Sequence, residues 1–253
     1  MVDLLIDAWK LFTERLPTGT FERSEGVAST LGNVPLPFLN ISAHDGPLSD
    51  LDELRRRLAV AERHTSRCEH PWMFGLCLDW VPEGWVEVAA EFGLAPAVPM
   101  TGMATDVLKP PRRPPAEIEI RRVDDDITAR HLAEINNAAY GLPDGTMECV
   151  CNLHIWREDT HAYVGYVDGR PVTCSATVPV DGTNYVCFVA TIPDTHRKGL
   201  AETVMRHSIE QGARASGLTR TTLHASDAGR GLYEAMGYAP AARFNLLAKP
   251  HEE

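Results

Sequence analysis

Four prolines fall within six residues, Pro110, Pro111, Pro114 and Pro115, with Arg112 and Arg113 between them. Proline lacks an N–H and holds φ near −65°, so such a stretch neither continues a helix nor enters a central strand. Residues 108–116 read as a stiff, extended linker. It divides the 253 residues into two regions, 1–107 and 117–253, each of ordinary domain size. With 44% hydrophobic and 23% charged residues, both can bury a core.

Charge narrows the partners. The net charge is −11, and the excess of acid is spread over both sides of residue 115. Neither half is a basic module, which argues against nucleic acid. No run approaches the ~18 apolar residues of a membrane span, and the acidic start at Asp3 is unlike a signal peptide. The expectation is a cytoplasmic protein, monomer or homodimer, with no nucleic-acid or membrane partner. Six cysteines form no C-x-x-C pair. Cys149, Cys151 and His154 lie close in sequence but lack a second ligand pair, so no metal is expected.

The C-terminal region alternates strand and helix patterns. Residues 117–123 alternate like a strand, and residues 128–140 carry apolar positions at helical spacing. Residues 147–156 read as a second helix. Strands follow at 161–167, 172–180 and 185–192, joined by the Asp168-Gly169 and Asp181-Gly182 turns. A helix at 199–216 ends at Gly217. Strand 221–225, helix 229–236 and strand 244–248 complete the region. This order predicts an α/β (α+β) fold with a mixed, largely antiparallel central sheet flanked by helices. In the N-terminal region the pattern predicts a helix capped by Ser49, a strand at 72–78, a helix at 85–92 and a weak strand at 98–108.

The segment that carries chemistry is the break at Pro193. A strand there gives way to a basic turn, His196-Arg197-Lys198-Gly199, and then to a helix. A helix N-terminus leaves backbone N–H groups without partners and carries a partial positive charge, which suits phosphate. Gly199 and Ala201 lack bulk, so a pyrophosphate can approach the amides. Arg197 and Lys198 add charge. An ordinary solvated basic turn is the alternative reading of these residues alone.

The segment His196 to Ala201 resembles the R/Q-x-x-G-x-G/A signature of the GNAT N-acetyltransferase superfamily, with His196 where Arg or Gln is usual. Leu232-Tyr233-Glu234-Ala235-Met236-Gly237-Tyr238 is similar to the family's L-Y-x-x-x-G-F/Y segment. The resemblance covers about 117–249. It implies acetyl-CoA as co-substrate, bound by the backbone of Val189, Ala190 and Thr191 and by His196, Arg197, Lys198, Gly199, Leu200 and Ala201. Ser226 stands where relatives have an Asn on the cofactor arm. The resemblance places Tyr233 at the cofactor sulfur, where a phenol can protonate the departing thiolate. Packing of helix on sheet is the structural alternative for this tyrosine.

No acid lies on the strand where relatives often carry a Glu base. Glu148, Asp181, His154 and His161 are distant candidates. Tyr140, Glu148, Trp156 and Phe188 are candidates to line an acceptor pocket. The N-terminal region weakly mimics the helix–Gly–strand ending of the other half and reads as a degenerate GNAT-like or accessory domain in a tandem, with no cofactor turn. The functional expectation is an acetyl-CoA-dependent N-acetyltransferase acting directly on a primary amine of a small molecule. The alternatives are a non-catalytic acyl-CoA-binding or regulatory protein, or a protein or peptide N-acetyltransferase.

Overall fold

The computed structural model describes residues 1–250; the last three residues of the C-terminal region lie outside them. Two compact units divide the chain. The first comprises Met1–Met103, His224–Arg230 and the chain from Pro240 on, and the second Ala104–Leu223 and Gly231–Ala239. Among the described residues, no helix is long and apolar enough to cross a membrane.

The first unit contains α1 (Val2–Thr13), β1 (Thr20–Ser24), β2 (Val27–Leu31), β3 (Asn40–His44), α2 (Leu51–Thr65), β4 (Met73–Cys77), α3 (Trp85–Glu91) and most of β5 (Ala95–Thr105). Strands β1, β2 and β3 form an antiparallel ladder, and β4 joins β3 in parallel. Every residue of β2, β3 and β4 is buried, so helices must cover both faces of the sheet. Phe74 and Leu76 of β4 join α2 and α3 in one core with Leu54, Leu58 and Val88. Gly75 points the other way, towards Leu5 of α1, as the two-residue period of a strand requires. Strand β11 (Ala239–Ala248) pairs antiparallel with β4 through Phe244 to Ala248.

Two local features of this unit bear on function. Asp50, not Ser49, caps α2: its carboxylate accepts the Glu53 N–H at 2.7 Å, and Glu53 reaches back to the Ser49 N–H at 2.9 Å. The carboxylate suits an N-cap, and the backward reach of Glu53 moves the start one residue on. The β3–β4 ladder ends at Ala43 and Gly75, and the His44 ring bridges the next step. Its Nε2 accepts the Cys77 N–H at 3.0 Å and its Nδ1 donates to the Gly46 carbonyl at 2.7 Å. Burial lowers the His44 pKa, in keeping with a neutral ring.

The second unit runs β6 (Glu119–Arg122), α4 (Asp126–Tyr140), β7 (His161–Val167), β8 (Arg170–Val180), β9 (Thr183–Thr191), α5 (Leu200–Ser216), β10 (Thr221–Ser226) and α6 (Asp227–Met236). Strand β10 and helix α6 each pass from one unit to the other. Strands β6 to β9 are antiparallel, and β10 adds to β9 in parallel. Strand β8 is buried on both faces. Ser175 and Thr177 face α5, where both hydroxyls meet Ser208 Oγ. Cys174 faces α4, where Asn136 Nδ2 donates to its sulfur. A Cβ on Gly212 of α5 would stand 2.9 Å from Thr177, so α5 lies close against the strand.

The helix expected over 147–156 is instead two short 3-10 turns, Glu148–Cys151 and Leu153–Ile155. Asn152 between them is extended, and its side chain accepts the His154 N–H, which restarts the turn and prevents a continuous helix. After the additional strand β6 in the second, both regions follow one order: helix, three antiparallel strands, helix, parallel strand, helix, strand.

His224 sets an acid limit on this fold. Its ring stands edge-on to Phe244 at 4.9 Å, and burial, helped by the nearby amino terminus, lowers its pKa from 6.5 to about 3. The unfolded chain takes up that proton near pH 6.5 and the folded one only near pH 3. The contribution is complete above pH 6.5 and is lost as pH falls towards 3. Urea unfolding at pH 7 and pH 5 should show about 2 kcal/mol more acid loss in the wild type than in His224→Gln. Equal losses would remove His224 from the acid limit.

Candidate active site

Strand β9 lies between β8 and β10, and its two edges are treated differently. Along β8 it pairs through nearly its whole length. Along β10 the ladder consists of Thr221 with Asn184 and Thr222 with Tyr185. The six residues from Val186 to Thr191 run on past that ladder. Within them sits a bulge: Cys187 opposes Ala176 and Ala190 opposes Cys174, so Phe188 and Val189 together face Ser175. Phe188 takes φ +50°, a left-handed backbone that a bulky side chain adopts only under constraint. The Cys174 thiol donates to its carbonyl at 3.2 Å.

Past β9 the chain makes a 3-10 turn, Pro193–Thr195, and then the basic turn. His196 Nε2 donates to the Thr191 carbonyl at 2.8 Å, which folds the turn back on its own strand. Arg170 and Asp194 clamp the start of the turn to β8 at 2.7 Å. Arg197 has φ +63° and Gly199 φ +80°, positive values that turn backbone amides towards one concave side. Gly199 is the N-cap of α5 and provides no side-chain cap. By contrast, Asp50 and Asp125 cap α2 and α4 with carboxylates. The first turn of α5 therefore presents N–H groups and a positive helix end with no protein anion on its cap, which fits a phosphate group.

Three tyrosines gather beside β9. Tyr233 on α6 is 8% exposed and stands edge-on to Tyr238 at 6.0 Å. Burial, with Tyr140 and Tyr238 nearby, raises its pKa far above the usual phenol range. Tyr140, the last residue of α4, is 56% exposed as a residue. Its hydroxyl end is enclosed: it donates to the Val189 carbonyl at 2.9 Å, and enclosure pushes its pKa up to about 12. A buried phenol, an unusual strand and a turn suited to an anion thus lie within one unit.

Residues 158–240 match the acetyltransferase (GNAT) domain model, a span that includes β9, the basic turn and Tyr233. The C-terminal region carries a GNAT acetyltransferase domain. Solved structures share the fold across nearly the whole chain. A GCN5-related N-acetyltransferase from Kribbella flavida is 19% identical with TM-score 0.69, covering 99% of this chain and 95% of that one. One from Sphaerobacter thermophilus is 12% identical with TM-score 0.61, covering 92% and 84%. A tandem GNAT protein from the clavulanic acid biosynthesis pathway is 13% identical with TM-score 0.53, covering 100% and 94%. No curated protein matches the chain in sequence.

The other candidates separate into groups. Trp156 and Phe188 pack against each other, ring centroids 5.2 Å apart and steeply inclined. Trp156 also donates to the Val150 carbonyl at 2.7 Å, so it is part of the core under the bulge. Glu148 is exposed on its 3-10 turn. Asp181 lies in the β8–β9 hairpin turn, at the far end of β9 from the basic turn. Ser226 is the last residue of β10 and falls in the first unit. Strand β9 carries no carboxylate. Burial pushes the Cys174 thiol up to about 12, so it is no thiolate nucleophile at neutral pH. Among the described residues no group of three His, Cys, Asp or Glu is arranged to hold a metal. Tyr140, expected to line an acceptor pocket, instead aims its hydroxyl at the β9 backbone, and Tyr238, the last residue of the L-Y-x-x-x-G-F/Y segment, packs on Tyr233; neither contact is visible before the chain folds.

The turn's geometry gives a direct test. Gly199→Ala forces a Cβ into a left-handed conformation, a cost of about 1–2 kcal/mol. The melting temperature should fall by about 2–6 °C. Acetyl-CoA affinity should fall too, because the strained turn realigns its amides. Calorimetric titration with unchanged affinity would separate the turn from the phosphate.

Proposed function

We propose that this chain is an acetyl-CoA-dependent N-acetyltransferase that transfers the acetyl group directly to a primary amine of a small molecule. The observation that carries this reading is the uncapped N-terminus of α5 directly after the bulged strand β9, inside the matched GNAT domain. Val189, Ala190 and Thr191 offer backbone to the thioester arm. The amides around Gly199, Leu200 and Ala201, with Arg197 and Lys198, face the phosphates. His196 spends its ring nitrogen on Thr191, so its part is to hold the turn.

In the reaction the neutral amine attacks the thioester carbonyl, and the C–S bond breaks as the C–N bond is completed. Tyr233 donates its phenolic proton, first as a hydrogen bond and then fully, to the departing sulfur. The phenol's raised pKa keeps that proton in place. The same enclosure raises the proton affinity of the thiolate, so the two remain matched. The proton lost by the amine goes to water, because β9 supplies no carboxylate, and water returns a proton to the Tyr233 phenolate to close the cycle. Direct transfer also accords with the buried, protonated Cys174.

The N-terminal region reads as a second, degenerate copy of the same fold. It repeats the element order, but its counterpart turn is capped by Asp50 and closed by Glu53. The step beyond its β3–β4 ladder is filled by His44. A carboxylate on the helix N-terminus already answers the charge that a phosphate would answer, so this copy serves as a partner domain without coenzyme A.

The missing carboxylate on β9 also favours a second reading, a non-catalytic acyl-CoA-binding protein. Titration with acetyl-CoA and a thiol-release assay over an amine panel distinguish the two. Binding with turnover supports the enzyme, binding without turnover supports the second reading, and no heat at millimolar ligand removes both. Tyr233→Phe should lower kcat about 10²–10⁴-fold with little change in KM for acetyl-CoA. Because burial favours the neutral phenol, Tyr233 keeps its proton through pH 9, and the wild-type rate should rise with pH along the amine's own titration. An alkaline fall centred below pH 9 that vanishes in Tyr233→Phe would overturn the acid role.

A further inference from the structure

The proline-rich stretch lies against the phosphate turn within the second unit. The Lys109 N–H bonds to the Met236 carbonyl at 2.9 Å. Seven residues on, the Ala116 N–H bonds to Thr203 Oγ1 at 2.9 Å, and that hydroxyl donates to the Gly199 carbonyl at 3.0 Å. One end of the strap is therefore fixed to the end of α6 and the other to the first turn of α5. The four prolines between these anchors restrict the backbone to extended conformations.

Arg113 crosses the turn in the middle of this span. A Cβ on Gly199 would meet its Cδ at 3.5 Å, its Nε at 3.7 Å and its Cζ at 3.9 Å. Its Nη1 touches the Arg197 carbonyl at a long 3.4 Å. Arg113 and Gly199 line a cavity of about 60 Å³ with Thr203, Glu202 and Arg206. Glu202, the one acid in that lining, is held by Arg206 at 2.8 Å and is thereby neutralised. A planar guanidinium with several N–H donors, set over a glycine turn, matches the oxygens of a diphosphate. His196 makes no such offer, since its ring is engaged with Thr191.

We infer that Arg113 is a binding residue for the pyrophosphate of the acyl-CoA substrate, delivered to the turn by the proline-rich strap. This rests on the proposed acetyl-CoA reading and adds to it a ligand from outside the strand–turn–helix segment. The strap thus links the chain's two regions and completes the anion site of one of them.

The test is titration of the full chain, wild type, Arg113→Ala and Arg113→Lys, with acetyl-CoA and with its 3′-dephospho form, at low and high salt. Arg113 is exposed, and matching melting curves will show that the variants fold. Arg113→Ala should weaken both ligands about tenfold at low salt, equivalent to about 1.4 kcal/mol. The difference should shrink at high salt, where the charge is screened, and Arg113→Lys should recover part of the loss. Equal or tighter binding by Arg113→Ala overturns the assignment and leaves the acetyl-CoA reading standing. A loss that ignores salt assigns Arg113 a packing role and also overturns it. A loss confined to acetyl-CoA moves the contact to the 3′-phosphate and overturns the pyrophosphate assignment. No binding by the wild type removes the acetyl-CoA reading and this inference with it.

Discussion

The N-terminus of α5 has no side chain to cap it, and much of the second unit is arranged around that fact. A helix start must find acceptors for its first N–H groups, and α2 and α4 find theirs in Asp50 and Asp125. At Gly199 the chain supplies none. It supplies instead the conditions for an external anion: positive φ at Arg197 and Gly199, the His196 tie to Thr191 and the Arg170–Asp194 clamp. These contacts hold the turn while its amides stay available.

Packing then gives the turn its chemistry. Helices α4 and α5 grip β8 from opposite faces through Asn136 and Ser208, which fixes β9 beside it. The bulge at Phe188 and Val189 changes the direction of β9 where its ladder to β10 has already ended. The Tyr140 hydroxyl meets the Val189 carbonyl there, and Tyr233 is buried nearby. Burial is what separates Tyr233 from an ordinary surface phenol, since a low-dielectric surrounding penalises the phenolate.

The first unit shows the same scaffold with the opposite electrostatics. Its comparable helix start is closed by Asp50 and Glu53, and the step beyond its parallel ladder is bridged by the neutral ring of His44. A carboxylate closes the helix end there, and an imidazole fills the step between the strands. The two halves differ in these polar side chains and in backbone detail, above all the bulge in β9 and the positive-φ turn before α5.

Local pattern was enough to find most of the second unit. The strand at 161–167, the long helix that ends at Gly217 and the turn at Gly199 depend on spacing, turn residues and glycine, all of which act over a few residues. The sequence likewise carried the GNAT likeness, in Gly199, Ala201 and Tyr233. It did not disclose α1, nor β1 to β3, whose buried residues include Ser29, Asn40 and Ser42; in these strands polar side chains satisfied by distant partners leave no apolar alternation to read. Nor did it show that 147–156 breaks at Asn152. Only the tertiary structure decided that β11 belongs with β4, that Tyr140 points at Val189, and that a proline-rich linker lays Arg113 across the Gly199 turn. Each of those is a meeting of residues far apart in the chain, and their placement comes from packing, which no local pattern encodes.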